Sequence, residues 1–210
     1  MTTHDLISPE LGAVEVHGVT RASFLLKGAL GAGALLGASA VTPFVSNALA
    51  ASASSDIDIL NFALTLEYLE TDFYQSKAKQ IGLSGEAKTY AKSFGEEEAA
   101  HVAALTKAIK AAGGRPVKKP TFSFPVHDQK SFLKLAYTLE NVGVGAYNGA
   151  GPSLKSKQLL VAAGEIVQIE ARHAATVAVI TGESITPHGA FDKPLTTKQV
   201  LAKAGPLIKG

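Results

Sequence analysis

SGEAKTYAKSFGEEEAAHVAALTKAIKAA, residues 84–112, is the stretch on which the reading of this chain turns. Ser84 is a helix-capping residue type, and Gly113-Gly114 stop the run. Between them Tyr90, Phe94, Glu98, His101, Leu105 and Ile109 recur at helical spacing. A carboxylate and an imidazole three positions apart therefore share the apolar stripe. The pattern returns in residues 153–181, where Leu159, Ala163, Ile166, Glu170, His173, Val177 and Ile180 fall on one face. A single Glu-x-x-His is common on solvated helices; two of them on apolar stripes are not.

Each of these helices is preceded by another. Asp56 is placed to cap a helix running to about Gln80, with Leu60, Ala63, Leu64, Glu67, Thr71 and Tyr74 in line and Gly82 ending it. A third helix spans about Asp128 to Asn148, with Leu133, Ala136, Glu140, Val144 and Tyr147 on its stripe. The halves repeat. Thr65-Leu66-Glu67 is followed by Tyr74, and Thr138-Leu139-Glu140 by Tyr147. The first Glu precedes the second by 31 residues in one half and 30 in the other. Such a repeat predicts a pseudo-two-fold axis, and a group on that axis receives matching side chains from both halves. Residues 115–128 hold three prolines and form a long crossover. The predicted fold is all-α: a four-helix bundle with one long crossover between helices two and three, over residues 51–181. Residues 182–210, with one short helix at Thr196–Ala204, are expected to pack along it as a cap.

Composition narrows the function. With 210 residues, 46% hydrophobic and 7% aromatic, the chain lacks the β-branched runs of a sandwich or barrel. No Cys means no disulfide framework, no thiolate-bound zinc, no iron–sulfur cluster and no thiol nucleophile. Twenty basic against eighteen acidic side chains give no reason to expect nucleic acid as a partner. Residues 1–50 read as an export signal: a polar start, an apolar Gly-rich run from Phe24 to Ala40, then Ala48-Leu49-Ala50 where a signal peptidase cuts. Thr20-Arg21-Ala22-Ser23-Phe24-Leu25-Leu26-Lys27 resembles a twin-arginine signal, with Ala22 in place of the second arginine, which leaves the twin-arginine and Sec routes both open. The run is interrupted by Lys27 and Pro43 and is too short to span a bilayer, so no stable span is expected after cleavage. The chain is expected in the periplasm or outside the cell.

Four carboxylates and two imidazoles converging in a dry core would each be costly if unpaired. A pair of divalent cations removes the conflict, because four negative charges balance two doubly charged ions. Positions i and i+3 lie 60° apart and one turn up, so Glu and His of one helix can reach one metal. Tyr74 and Tyr147 sit two turns from Glu67 and Glu140, where a phenol either packs with its hydroxyl satisfied or takes part in redox chemistry. Carboxylates with imidazoles suit iron or manganese.

Residues 56–181 resemble the ferritin-like di-iron and di-manganese carboxylate superfamily, in which two helices give one Glu each and two give Glu-x-x-His. The resemblance implies two metal ions, Fe or Mn, held by Glu67, Glu98, His101, Glu140, Glu170 and His173, with Glu98 and either Glu140 or Glu170 as bridges. It also implies an oxidoreductase acting on ferrous iron, O2 or peroxide, and a homo-oligomer. The exported layout further resembles the ferritin-like group linked to desiccation and stress. A different class stays open: a structural, stress-protective bundle whose metal site is not catalytic. Redox-silent zinc would serve the second and silence the first. Glu70, Asp72, Glu96, Glu97, Glu165, His127 and His188 are expected at the surface, although Glu70 lies one turn from Glu67 and within reach of the site. His4 and His17 go with the signal.

Overall fold

A computed structural model describes residues 55–209. The export-signal reading lies outside the described residues. Helix α1 spans Asp56–Asp72 and continues through a π-helical turn, Phe73–Lys77, into a last turn, Ala78–Ile81. Helices α2 (Gly85–Ala111), α3 (Gln129–Ala150) and α4 (Lys157–Thr181) complete the bundle. A short α5, Thr197–Ala204, follows. Among the described residues no helix is long and apolar enough to cross a membrane.

Local chemistry sets the boundaries. Ser55, not Asp56, caps α1: its hydroxyl accepts from Asp58 N–H, and the Asp58 carboxylate accepts from Ser55 N–H. Asp56 works across the bundle instead. Its carboxylate accepts the N–H groups of Lys155 and Ser156 at 2.9 Å, tying the start of α1 to the start of α4, and these bonds hold its pKa below the usual range. The α4 helix begins at Lys157, four residues after the expected Ser153, because Gly151–Ser153 form a 3-10 turn around Pro152. Asp128 and Thr196 each close a capping box on α3 and α5.

The helices pack as two close pairs, α1 with α2 and α3 with α4. Along every helix the Glu and His positions separate two apolar regions. One contains Phe73, Tyr74, Phe94, Phe132 and Val177; the other contains Leu60, Leu64, Leu105, Ile109, Tyr147 and Ile166. Each large apolar side chain so buried contributes about 1.5–3 kcal/mol. Tyr90, expected on the inner face, sits at its margin with 36% of its surface exposed.

The tail does cap the bundle, and it also grips the crossover. Strand β1 (Thr121–Phe122) pairs antiparallel with β2 (Ile208–Lys209), and Ser123 N–H donates to the Leu207 carbonyl at 2.9 Å. Before α5 the chain lies on α3, where Leu195 N–H donates to the Gly145 carbonyl at 2.8 Å. Only glycine allows that approach. A Cβ at Gly149 would stand 1.9 Å from the Leu195 carbonyl oxygen, and one at Gly145 would stand 2.5 Å from Leu195 Cγ. At Gly164 in α4 a Cβ would meet nothing within 4 Å. Gly149→Ala is expected to lower stability by about 1–3 kcal/mol through overpacking, whereas Gly164→Ala should raise it by up to about 1 kcal/mol through helix propensity. Denaturant unfolding of the two variants beside the parent chain measures both signs.

Candidate metal centre

The six residues that the repeat put on inner stripes meet in one buried layer. Glu67, Glu98, Glu140 and Glu170 are wholly buried, His173 nearly so, and His101 keeps 8% of its surface. Helix α1 supplies Glu67, α2 supplies Glu98 and His101, α3 supplies Glu140, and α4 supplies Glu170 and His173.

Two constellations share Glu98. Around His101, the Nδ1–H donates to Glu98 Oε2 at 2.9 Å and Glu67 Oε2 at 3.1 Å, with Glu170 Oε1 at 3.3 Å. Around His173, Nδ1 lies 2.9 Å from Glu98 Oε1 and 3.5 Å from Glu140 Oε2. One carboxylate thus faces both imidazoles, one oxygen to each. Three groups of potential ligand atoms lie within 4.8 Å of one another: Glu67, Glu98, His101 and Glu170; Glu98, Glu140 and His173; and Glu70, Glu140 and Glu170. Glu98, Glu140 and Glu170 each belong to two of them.

The tyrosines cross over. Tyr74 donates its hydroxyl to Glu140 Oε1, and Tyr147 donates to Glu67 Oε1, so each phenol serves the glutamate of the other half. Burial raises both phenols well above their ordinary pKa, and the neighbouring carboxylates, Glu140 for Tyr74 and Glu67 for Tyr147, add to it. Both hydroxyls keep their protons.

Two expectations change. Glu70 is not a surface residue: it is 3% exposed and stands with Glu140 and Glu170. Position 70 in α1 corresponds to Gly143 in α3, where a Cβ would stand 2.5 Å from Glu170 Oε2 and 3.5 Å from Glu70 Oε1. The room a side chain would fill there is taken by Glu170, and Glu70 lies at contact distance beside it. Glu97 is half-exposed as expected, yet its Oε2 accepts from His173 Nε2–H at 2.5 Å and fixes that ring, which also stacks on Phe94 at 3.9 Å. Asp72 lies partly buried and holds Lys119 Nζ at 2.6 Å. Glu96, Glu165, His127 and His188 are exposed.

Electrostatics show what the layer lacks. Burial raises Glu67, Glu140, Glu170 and Glu70, and for Glu70 the charges of Glu170 and Glu140 push further the same way. Glu98 goes the other way: burial opposes its charge, but His101 and His173 outweigh that and hold it low. Burial also works against charged imidazoles, yet the carboxylates of Glu170, Glu67 and Glu98 push His101 up to about 12, and those of Glu140 and Glu98 push His173 up to about 11. Even so, among the described residues Glu98 Oε1, Glu140 Oε2, both Glu170 oxygens and His173 Nδ1 are buried without a well-aligned hydrogen bond. Carboxylate oxygens from three helices that crowd around one imidazole nitrogen in this way suit a cation.

A bundle of two helical pairs joined by a long crossover, with Glu, Glu-x-x-His, Glu and Glu-x-x-His turned inward, is the ferritin-like architecture. Residues 55–183 match the ferritin-like domain family, and the chain belongs to it. Its fold is similar to the crystal structure of a ferritin-like, diiron-carboxylate protein from Bacillus anthracis str. Ames, with 22% identity and a TM-score of 0.55, covering 67% of this chain and 99% of that one. At that identity the likeness is one of fold. No curated protein matches the chain.

In the metal-free protein both imidazoles should remain cationic at pH 8, where an ordinary histidine is neutral, because their pKa values are raised. Nitrogen chemical shifts of labelled histidine, followed from pH 6 to 10, would show two rings that do not titrate in that range.

Proposed function

We propose that this chain is an exported di-metal protein that oxidises ferrous iron, or turns over O2 or peroxide, as part of stress defence. The observation that carries the reading is the set of buried carboxylate and imidazole atoms without a well-aligned hydrogen bond on α2, α3 and α4. Glu67, Glu98, His101 and Glu170 would hold one ion, and Glu98, Glu140 and His173 the other. Bound iron or manganese would supply one-electron steps between the 2+ and 3+ states.

The chain's own residues prepare that chemistry. The hydroxyls of Tyr74 and Tyr147 donate to Glu140 and Glu67, which orients each carboxylate and turns its second oxygen toward the facing imidazole. Glu97 holds His173 from behind, so Nδ1 points inward. Glu70 adds a fifth buried carboxylate, one more negative charge than two divalent ions balance. With its raised pKa it is suited to hold a proton beside the pair.

Elemental mass spectrometry on protein purified without added metal is expected to find about two iron or manganese ions per chain. His101→Ala combined with His173→Ala should remove them and leave the helical circular dichroism unchanged. Two ions per chain in that variant would overturn the ligand assignment. Glu97→Ala should weaken metal binding about 10–100-fold, as loss of a histidine's outer partner does, which titration calorimetry would measure. Consumption of ferrous iron or peroxide by the loaded protein separates the catalytic reading from a structural site, since a structural site would leave both untouched and would serve as well with zinc.

A further inference from the structure

The internal repeat extends beyond the buried carboxylates. The α1 residues correspond to α3 residues 73 positions on, and the α2 residues to α4 residues 72 positions on. One turn away from the site, on opposite sides, the bundle has two equivalent apolar chambers. One is walled by Tyr74, the other by Tyr147. They differ sixfold in free volume, about 10 Å3 beside Tyr74 and about 60 Å3 beside Tyr147.

Three of the exchanges between the chambers replace a ring by a smaller side chain. Phe132, Phe94 and Tyr90 line the small chamber, and the matching positions in the large one are Ile59, Ile166 and Ala162. The small chamber is closed by rings: Tyr74 meets Phe94 and Phe132 edge-on at 5.5 and 5.9 Å. In the large one two isoleucines and an alanine stand in for those rings, and Tyr147 and Phe62 are the aromatic side chains of a lining that is otherwise aliphatic or glycine. The Tyr147 hydroxyl is already committed to Glu67, so the walls offer almost nothing to a polar guest. Water needs two to four polar partners and finds none there, and an apolar cavity of ~150 Å3 in another protein stays dry and takes up benzene or xenon.

We infer that the chamber between Ile59, Ala162, Ile166 and Tyr147 is a binding site for a small, uncharged, apolar molecule, a diatomic gas or a short hydrocarbon. A guest there lies against the ring whose hydroxyl touches Glu67, one side chain from the carboxylates. The inference concerns packing alone and needs no metal. It adds to the proposed function the class of molecule that is brought up to the site, and the side from which it comes.

Xenon tests it on the full-length, metal-free chain, so its outcome is independent of whether the metal assignment holds. Crystals pressurised with xenon should show one atom in the Tyr147 chamber and none beside Tyr74. Ala162→Phe, which restores a ring where the other half has one, should abolish that peak, and Ile166→Phe provides a second variant should the first not fold. An empty wild-type chamber, equal occupancy of both chambers, or xenon retained in a folded filled variant would each overturn the inference. Repeating the measurement with pentane divides the guests: xenon alone marks a gas-sized site, and both bound mark one that also admits hydrocarbon.

Discussion

Five carboxylates sealed in a helical core are the constraint to which the rest of this molecule answers. An isolated buried carboxylate costs several kcal/mol or takes a proton, and Glu67, Glu70, Glu98, Glu140 and Glu170 are all shielded from solvent. The bundle meets that cost with two imidazoles, two phenols and an outer glutamate. His101 and His173 are drawn into the cationic state by the same carboxylates that they stabilise. The phenols take one oxygen each from Glu67 and Glu140. What remains unsatisfied is concentrated on Glu98, Glu140, Glu170 and His173, on the line where the two halves meet. A fold selected for stability alone would put leucine there.

Much of this could be read from the sequence because the constraint is periodic. Glu98 and Glu170 fall on stripes that are otherwise apolar, and a polar residue on such a stripe must be buried with something. The helix limits were legible for the same reason, since Gly82, Gly113-Gly114 and Gly182 break the stripes. Glu70 was not, because three residues after Glu67 it lies 60° around the helix, on the flank that usually faces water. It is buried against Glu140 and Glu170 of two other helices, which no spacing within α1 registers. Glu97 escaped because its backbone belongs to the exposed face while only its tip reaches His173. The β1–β2 pair has two residues per strand, too few for any alternation to register.

The near-symmetry of the halves makes their differences informative. The glutamates, histidines and tyrosines are matched in type and spacing, so the central layer is close to two-fold. Glu70 against Gly143 breaks that equivalence beside the site, and Phe94 against Ile166 breaks it one turn away. Both departures change the space or charge around a shared centre while the six common side chains keep their types and spacing. The two halves of the layer are thus inequivalent by construction, with Glu70 an extra carboxylate beside Glu140 and Glu170.

The clasp between crossover and tail sets an order of events. Thr121 pairs with Lys209, 88 residues further along the chain. At synthesis rates of ~5–20 residues per second, the crossover waits about 4–18 s for its partner strand. Within that interval α3 and α4 are themselves synthesised, so all six shared Glu and His side chains exist before the clasp can close. The clasp is therefore a late contact, laid over helices that are already made.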